Sequence, residues 1–184
     1  MAVETCPTLE DYTAGEQCLE EFAGVAPCFY VGIKNELSAP LVATENTYAT
    51  PAFTEGKGLY KFDCKEDANN IAGDSLGKRK GFKQTYNMTL EAANKLVSKL
   101  ARGLNNLDIF IIVPDGEDAQ IMYDPVRKIK FDADAIKLAT GSAPTDERTT
   151  TIAATLSPVK YPYLYVTAPE SGWDSLLASA KVIP

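Results

Sequence analysis

The sequence predicts a mainly β (α+β) fold: a β-sandwich or barrel with one flanking amphipathic helix at about 89–104 and an extended N-terminal arm. Two observations carry that expectation. A single stretch keeps apolar residues at three- and four-residue steps, whereas about seven shorter runs alternate apolar with polar residues or are dense in Thr, Tyr and Val. At 184 residues the chain suits one domain with an arm, divided as 1–24 for the arm and 25–184 for the domain.

Taken in order, residues 1–24 are acidic and turn-rich, with at most one helical turn around Gly15–Phe22. "PCFYVGIKNEL" is the first strand, where Phe29, Val31 and Ile33 alternate with Cys28, Tyr30 and Gly32. Residues 35–57 form a long connection with scattered apolar residues, of the kind that serves interaction. "GLYKFDC" is a second strand with Tyr60, Phe62 and Cys64 on one face, and "KEDANNIAGDSLGKRKG" is a loop. "FKQTYNM" places Phe82, Gln84, Tyr86 and Met88 on one side. Thr89 then suits an N-cap, and Leu90, Ala93, Leu96, Val97, Leu100, Ala101 and Leu104 make one stripe opposite Lys95, Lys99 and Arg102. Asn105–Asn106 offers a left-handed residue to end the helix. "LDIFIIVP" is apolar on both sides, as a strand covered on both faces must be. "AQIMYD" and "RKIKFDAD" read as a hairpin through Asp124–Pro125, and "AIKLATGSAPTDE" as a loop. "RTTTIAATLS" and "YPYLYVTA" are strands, and "SGWDSLLASA" a short amphipathic end with Trp173, Leu176 and Leu177.

The composition narrows the function classes. Eighteen basic against 25 acidic residues give a net charge of −7, which argues against a protein that grips nucleic acid. The first 22 residues hold six carboxylates and no basic group, the reverse of a signal peptide, so synthesis in a cytoplasm is expected. No run of 18 apolar residues predicts a membrane helix. Histidine is absent, which removes the commonest general base and metal ligand. Cys6, Cys18, Cys28 and Cys64 match no metal-binding spacing and read as small thiols. No cofactor and no metal are expected.

Three motifs invite chemistry. "GDSLGKRKG" has three residues between its glycines and Arg79 after Lys78, so it fails the phosphate-loop pattern. As an exposed basic loop, Lys78, Arg79 and Lys80 suit docking on an acidic surface of another copy. Asp115, Glu117 and Asp118 lack calcium-loop spacing and read as a polar hairpin tip. "YPYLYV" has one basic neighbour, Lys160, and suits sheet packing or subunit contact better than base stacking. Tyr48 and Trp173 join the three basic residues as candidate interface groups.

The order "GFKQTYNMTLEAANKLVSKLARGLNN", "LDIFIIVPDG", "QIMYDP", "VRKIKFDADA", with the later "TTTIAATLSP", "YPYLYV" and "GWDSLL", resembles tail tube proteins of tailed bacteriophages, particularly those infecting gut Bacteroidetes. The resemblance spans roughly residues 58–178 and rests on element order rather than a short motif. It implies a structural virion protein of the tail, made in the host cytoplasm. Its copies would form hexameric rings that stack into a tube, conduct DNA without binding it, and meet other tail proteins. Arms and long loops, 1–24 and 35–57 among them, would bridge rings. The acidic arm or a neighbouring acidic loop is expected to meet Lys78–Lys80 of another subunit. Related alternatives are a tail terminator or a capsid decoration protein. A ligand-binding domain or enzyme with a carboxylate or lysine site is the alternative from another class.

Overall fold

The computed structural model describes residues 26–66, 68–78, 80–115, 118–142 and 146–178. The N-terminal arm, its turn around Gly15–Phe22, Cys6, Cys18, Arg79 and Glu117 lie outside the described residues. Eleven strands and one α-helix follow in the order β1 (Cys28–Ile33), β2 (Ala43–Thr44), β3 (Thr47–Tyr48), β4 (Tyr60–Asp63), β5 (Asn70–Ser75), β6 (Phe82–Leu90), α1 (Lys95–Asn106), β7 (Ile109–Asp115), β8 (Asp118–Met122), β9 (Ile136–Ala139), β10 (Thr149–Val159) and β11 (Tyr165–Val166). Short 3-10 turns occupy Lys34–Glu36 and Trp173–Leu176.

Two sheets form a sandwich with a single helix. The larger has the order β2-β3-β11-β8-β7-β1-β4, and the smaller β5-β6-β10-β9. Alternation along each strand sorts the side chains into two cores. Between the sheets, Phe29, Val31, Ile109, Ile111 and Val113 meet Tyr86, Met88, Leu90, Ile152 and Leu156. On the far face of the larger sheet, Tyr30, Phe110, Ile112, Ile121 and Tyr123 form a second core. β7 serves both, and Ile109 through Val113 are all buried, as its apolar run demands. Each such side chain contributes about 1.5–3 kcal/mol by leaving water.

The second core needs a cover, and the predicted interaction loop supplies it. Residues 35–57 fold back across the sheet, placing Leu41, Tyr48 and Phe53 on Phe110 and its neighbours. β3 pairs in parallel with β11, Thr47 beside Tyr165, and Leu37 bridges Phe53. Trp173, Leu176 and Leu177 close the same face.

The helix begins later than the apolar stripe predicts. Thr89 and Leu90 belong to β6, whose register with β10 runs on to Leu90 opposite Thr150. Asn94 is the cap, its Oδ1 accepting from the Val97 N–H at 3.0 Å. That bond answers one of the helix's unpaired donors and contributes about 1 kcal/mol. Val97 and Leu104 are buried and Leu100 half-buried against the inter-sheet core. Asn105 and Asn106 remain helical, and Leu107 ends the helix in an extended conformation, so no left-handed residue is used.

Four other expectations change. The middle of the predicted loop at 65–81 is β5 (Asn70–Ser75), paired with β6 from Asn70–Asn87 to Ser75–Phe82. The hairpin through Asp124–Pro125 does not form: residues 127–134 hold one bridge, Lys130 with Thr155, while Asp124 binds the turn itself. Ile136–Ala139, predicted as loop, is β9 on the edge of β10. Of "YPYLYVTA" only Tyr165–Val166 is strand, although Leu164 and Val166 are buried.

Candidate functional site

The β5–β6 hairpin carries the basic loop. Gly77 and Gly81 have φ of 93° and 79°, the left-handed conformation that glycine adopts without strain. The Leu76 N–H donates to the Gly81 carbonyl at 3.0 Å and the Lys80 N–H to that of Gly77 at 3.2 Å. A side chain at Gly81 would meet the Val159 carbonyl at 2.5 Å, so the turn is fastened to β10. Lys78 and Lys80 are exposed beside this turn and in no salt bridge among the described residues. Gly73 lies within β5 and the loop leads into a strand, so no helix N-terminus faces the tip.

Three lysines on and beside β4 are paired within the chain. Lys57 pairs with Glu36 at 3.0 Å, Lys61 with Asp174 at 3.3 Å, and Lys65 with Glu147. Basic side chains stand exposed at the hairpin tip and on the outer face of α1, at Lys95, Lys99 and Arg102.

Tyr48 and Trp173 serve the subunit itself. Tyr48 is 8% exposed, its ring 5.3 Å from that of Tyr123 and edge-on, and burial pushes its phenol up. It is a core residue, not a presented one. Trp173 is half-buried, 6.2 Å from the Tyr30 ring. Next to it the Tyr30 hydroxyl donates to Asp174 Oδ1 at 2.9 Å. Burial, and then this bond to a carboxylate, hold the Tyr30 phenol far above its usual range.

Asp115 accepts from Gln120 Nε2 at 2.8 Å at the β7–β8 tip. No cluster of three or more metal-ligating side chains occurs among the described residues. Cys28 and Cys64 are free thiols; burial raises both, Cys64 to about 12, so neither is a ready thiolate at neutral pH.

Three features escape a reading of the sequence. Lys34, whose side chain is 9% exposed, donates Nζ to the carbonyls of Asp124 (2.8 Å) and Arg127 (2.6 Å) and lies 3.0 Å from Asp108 Oδ1. Two of its donors go to carbonyls and its charge is paired with the Asp108 carboxylate, which makes it a staple between β1 and the 124–127 turn rather than a nucleophile. Its partners are distant in sequence, so no local signal marks it. On β6, the Gln84 amide and the Tyr86 hydroxyl are buried without a hydrogen-bond partner among the described residues. Finally, a groove of about 690 Å³ runs between β4 and α1, lined by Tyr60, Phe62 and Cys64 on one side and Leu96 and Leu100 on the other. Leu96 is 51% exposed there, an apolar residue of the helix stripe that the core does not reach.

No family model, no characterised protein and no solved structure matches the chain. Among the described residues no helix is long and apolar enough to cross a membrane.

Proposed function

We propose that this chain is a structural subunit of a phage tail tube, which assembles with copies of itself into stacked, hexameric rings. Its place is the tail of the virion, after synthesis in the host cytoplasm. The observation that carries the reading is the resemblance over residues 58–178, together with a sandwich whose elements run β6, α1, β7, β8 in the order on which that resemblance rests.

The physical features support assembly over catalysis. Among the described residues each sheet ends in edge strands: β2 and β4 in the larger, β5 and β9 in the smaller, with β4 bridged at Leu59 by Leu177. Such edges are the natural means of joining strands across subunit boundaries, and monomeric proteins usually guard them. A ring requires a heterologous contact that closes on itself. Lys78 and Lys80, exposed at the hairpin tip and unmatched by described carboxylates, supply one side of such a contact, with Arg79 between them in the sequence. A net charge of −7 lets DNA pass such a tube without adhering.

Negative-stain microscopy of the purified protein tests the proposal directly. Rings or tubes are the expected outcome, and a monodisperse monomer at high concentration would overturn it. Reversing Lys78, Arg79 and Lys80 to glutamate should impair assembly while leaving the fold's circular dichroism intact. Normal tubes from that variant would remove the hairpin from the interface.

A further inference from the structure

β4 stands last in the larger sheet, and its outer edge has a short free length with a stop at each end. The Cys64 N–H donates to the Pro27 carbonyl on the β1 side at 2.8 Å. Peptide groups alternate along a strand, so those of Tyr60 and Phe62 also face β1, and those of Leu59, Lys61 and Asp63 face outward. At Leu59 the outward groups are taken: its N–H donates to the Leu176 carbonyl at 2.7 Å, and its carbonyl accepts from the Ala178 N–H at 3.0 Å. At the other end the Lys65 N–H turns to the Thr89 carbonyl at 2.7 Å. Between these stops, no described strand pairs with the outward groups of Lys61 and Asp63.

An antiparallel second copy of this strand fits the free length in one register. Setting Lys61 opposite Lys61 brings Asp63 to Leu59, whose groups are taken. Setting Asp63 opposite Asp63 brings Lys61 to Lys65, whose N–H is spent. Both also place like charges face to face, which destabilises a sheet. With Phe62 opposite Phe62, Lys61 meets Asp63 twice and four backbone hydrogen bonds close. The two stops, Leu59 and Lys65, then fall opposite each other. Tyr60, Phe62 and Cys64 share the groove side with Leu96 and Leu100, so the same register sets Tyr60, 39% exposed, beside Cys64 of the second copy. Lys61 and Asp63 lie on the other side of the sheet, opposite Tyr30 and Cys28. Asp63 is in no salt bridge among the described residues, and Lys61 holds only the exposed pair with Asp174, which a second carboxylate can share. A lone lysine guards an edge against pairing; with Asp63 two residues on, it selects a register instead.

We propose that two copies of this chain pair through β4, antiparallel about a twofold axis at Phe62, with Lys61 and Asp63 of each copy facing Asp63 and Lys61 of the other. The larger sheets of the two copies then run on as one. The inference does not depend on the tail-tube reading. A twofold contact closes at two copies, so it is a joint distinct from the heterologous contact of a ring, for which β2, β5 and β9 remain.

Sedimentation velocity of the full chain, with circular dichroism as a check on folding, tests the proposal. The parent should show a dimer that grows with concentration. Lys61→Asp and Asp63→Lys each set like charges opposite at two places, and each should weaken the dimer at least about tenfold. An equimolar mixture of the two variants should restore it, because opposite charges meet again. Asp63→Lys leaves the Asp174 pair untouched and carries the test alone should Lys61→Asp fail to fold. Tyr60→Cys, treated with oxidised glutathione, should yield a dimer joined to Cys64 of the second copy, since residues directly opposite lie within disulfide reach. A parent that stays monomeric would overturn the proposal, as would single variants that dimerise like the parent or a mixture no tighter than either variant. Protection of the Lys61 and Asp63 amides from hydrogen exchange that ignores protein concentration would overturn it too, by making the chain's own remaining residues the occupant. Dimers without rings would uphold this pairing and overturn the assembly reading; rings in which Tyr60→Cys forms no cross-link would do the reverse.

Discussion

Replacing Gly32 by alanine drives a methyl group into the ring of Phe110. The two residues face each other across β1 and β7, and a Cβ at Gly32 would lie 2.1 Å from Cζ and 2.4 Å from Cε1 of that ring. The ring has nowhere to retreat. It is fully buried, stacked on Phe53 at 6.3 Å and held edge-on by Tyr123 at 6.0 Å. Overpacking of this kind costs about 1–3 kcal/mol, against the ~0.4–1 kcal/mol that Gly→Ala gains by restricting the unfolded chain. The net loss is about 1–2 kcal/mol, which lowers the midpoint of urea unfolding by roughly 0.5–1 M at unchanged slope. Shrinking the ring should relieve the clash, so Gly32→Ala combined with Phe110→Leu should be about 1 kcal/mol more stable than the sum of the single changes predicts. An unchanged or raised midpoint for Gly32→Ala, or strict additivity in the cycle, would refute the packing argument.

Other perturbations follow from the same structure. Gln84→Leu removes two buried polar atoms that have no partner among the described residues, and it should raise stability by about 1–2 kcal/mol, seen as a thermal midpoint higher by about 3 °C; a lower midpoint would show that the amide is satisfied. Lys34→Met leaves the Asp108 carboxylate only the longer Lys128 contact at 4.0 Å among the described residues and takes the donor from two carbonyls, for a loss of about 2 kcal/mol in denaturant titration, and Asp108→Asn in that background should restore part of it. For Asp124, burial raises the carboxyl, but the N–H groups of Arg127 and Val126 and the Arg127 guanidinium together hold it below its usual range. A depressed carboxyl stabilises the fold above its unfolded-state pKa and loses that contribution as pH falls through the folded-state value. Asp124→Asn should therefore cost about 1 kcal/mol at pH 7, with the difference from the parent shrinking as pH drops toward that depressed value; a constant difference would contradict the assignment.

The strands that the sequence reveals are those whose pattern the core dictates. β7 is apolar throughout because it feeds two cores, and β6 and β10 alternate because one face of each is buried. β5 and β9 are edges that take their register from β6 and β10. "NIAGDS" and "IKLA" therefore need little apolar patterning, and they read as loop. The helix start is ambiguous in sequence because Leu90 satisfies both periods; pairing with Thr150 decides for the strand. In 35–57 the sparse apolar residues read as an interaction loop, and Leu41, Tyr48 and Phe53 among them cover the second core. The Lys78–Lys80 tip was legible from local composition. The Lys34 staple and the groove were not, since each is assembled from segments far apart in the chain.

The parallel pairing of β3 with β11 also orders events during synthesis. Tyr48 leaves the ribosome early, but its pairing partner Val166 and the second-core residues Leu164 to Leu177 emerge more than a hundred residues later. Until then Leu41, Phe53, Phe110 and Ile112 share an apolar face that the nascent chain cannot finish covering. Non-local pairings of this kind fold slowly and leave sticky surface exposed in the interim. A cell that makes this protein in quantity must therefore shield an unfinished sheet, and slower translation would lengthen that exposure.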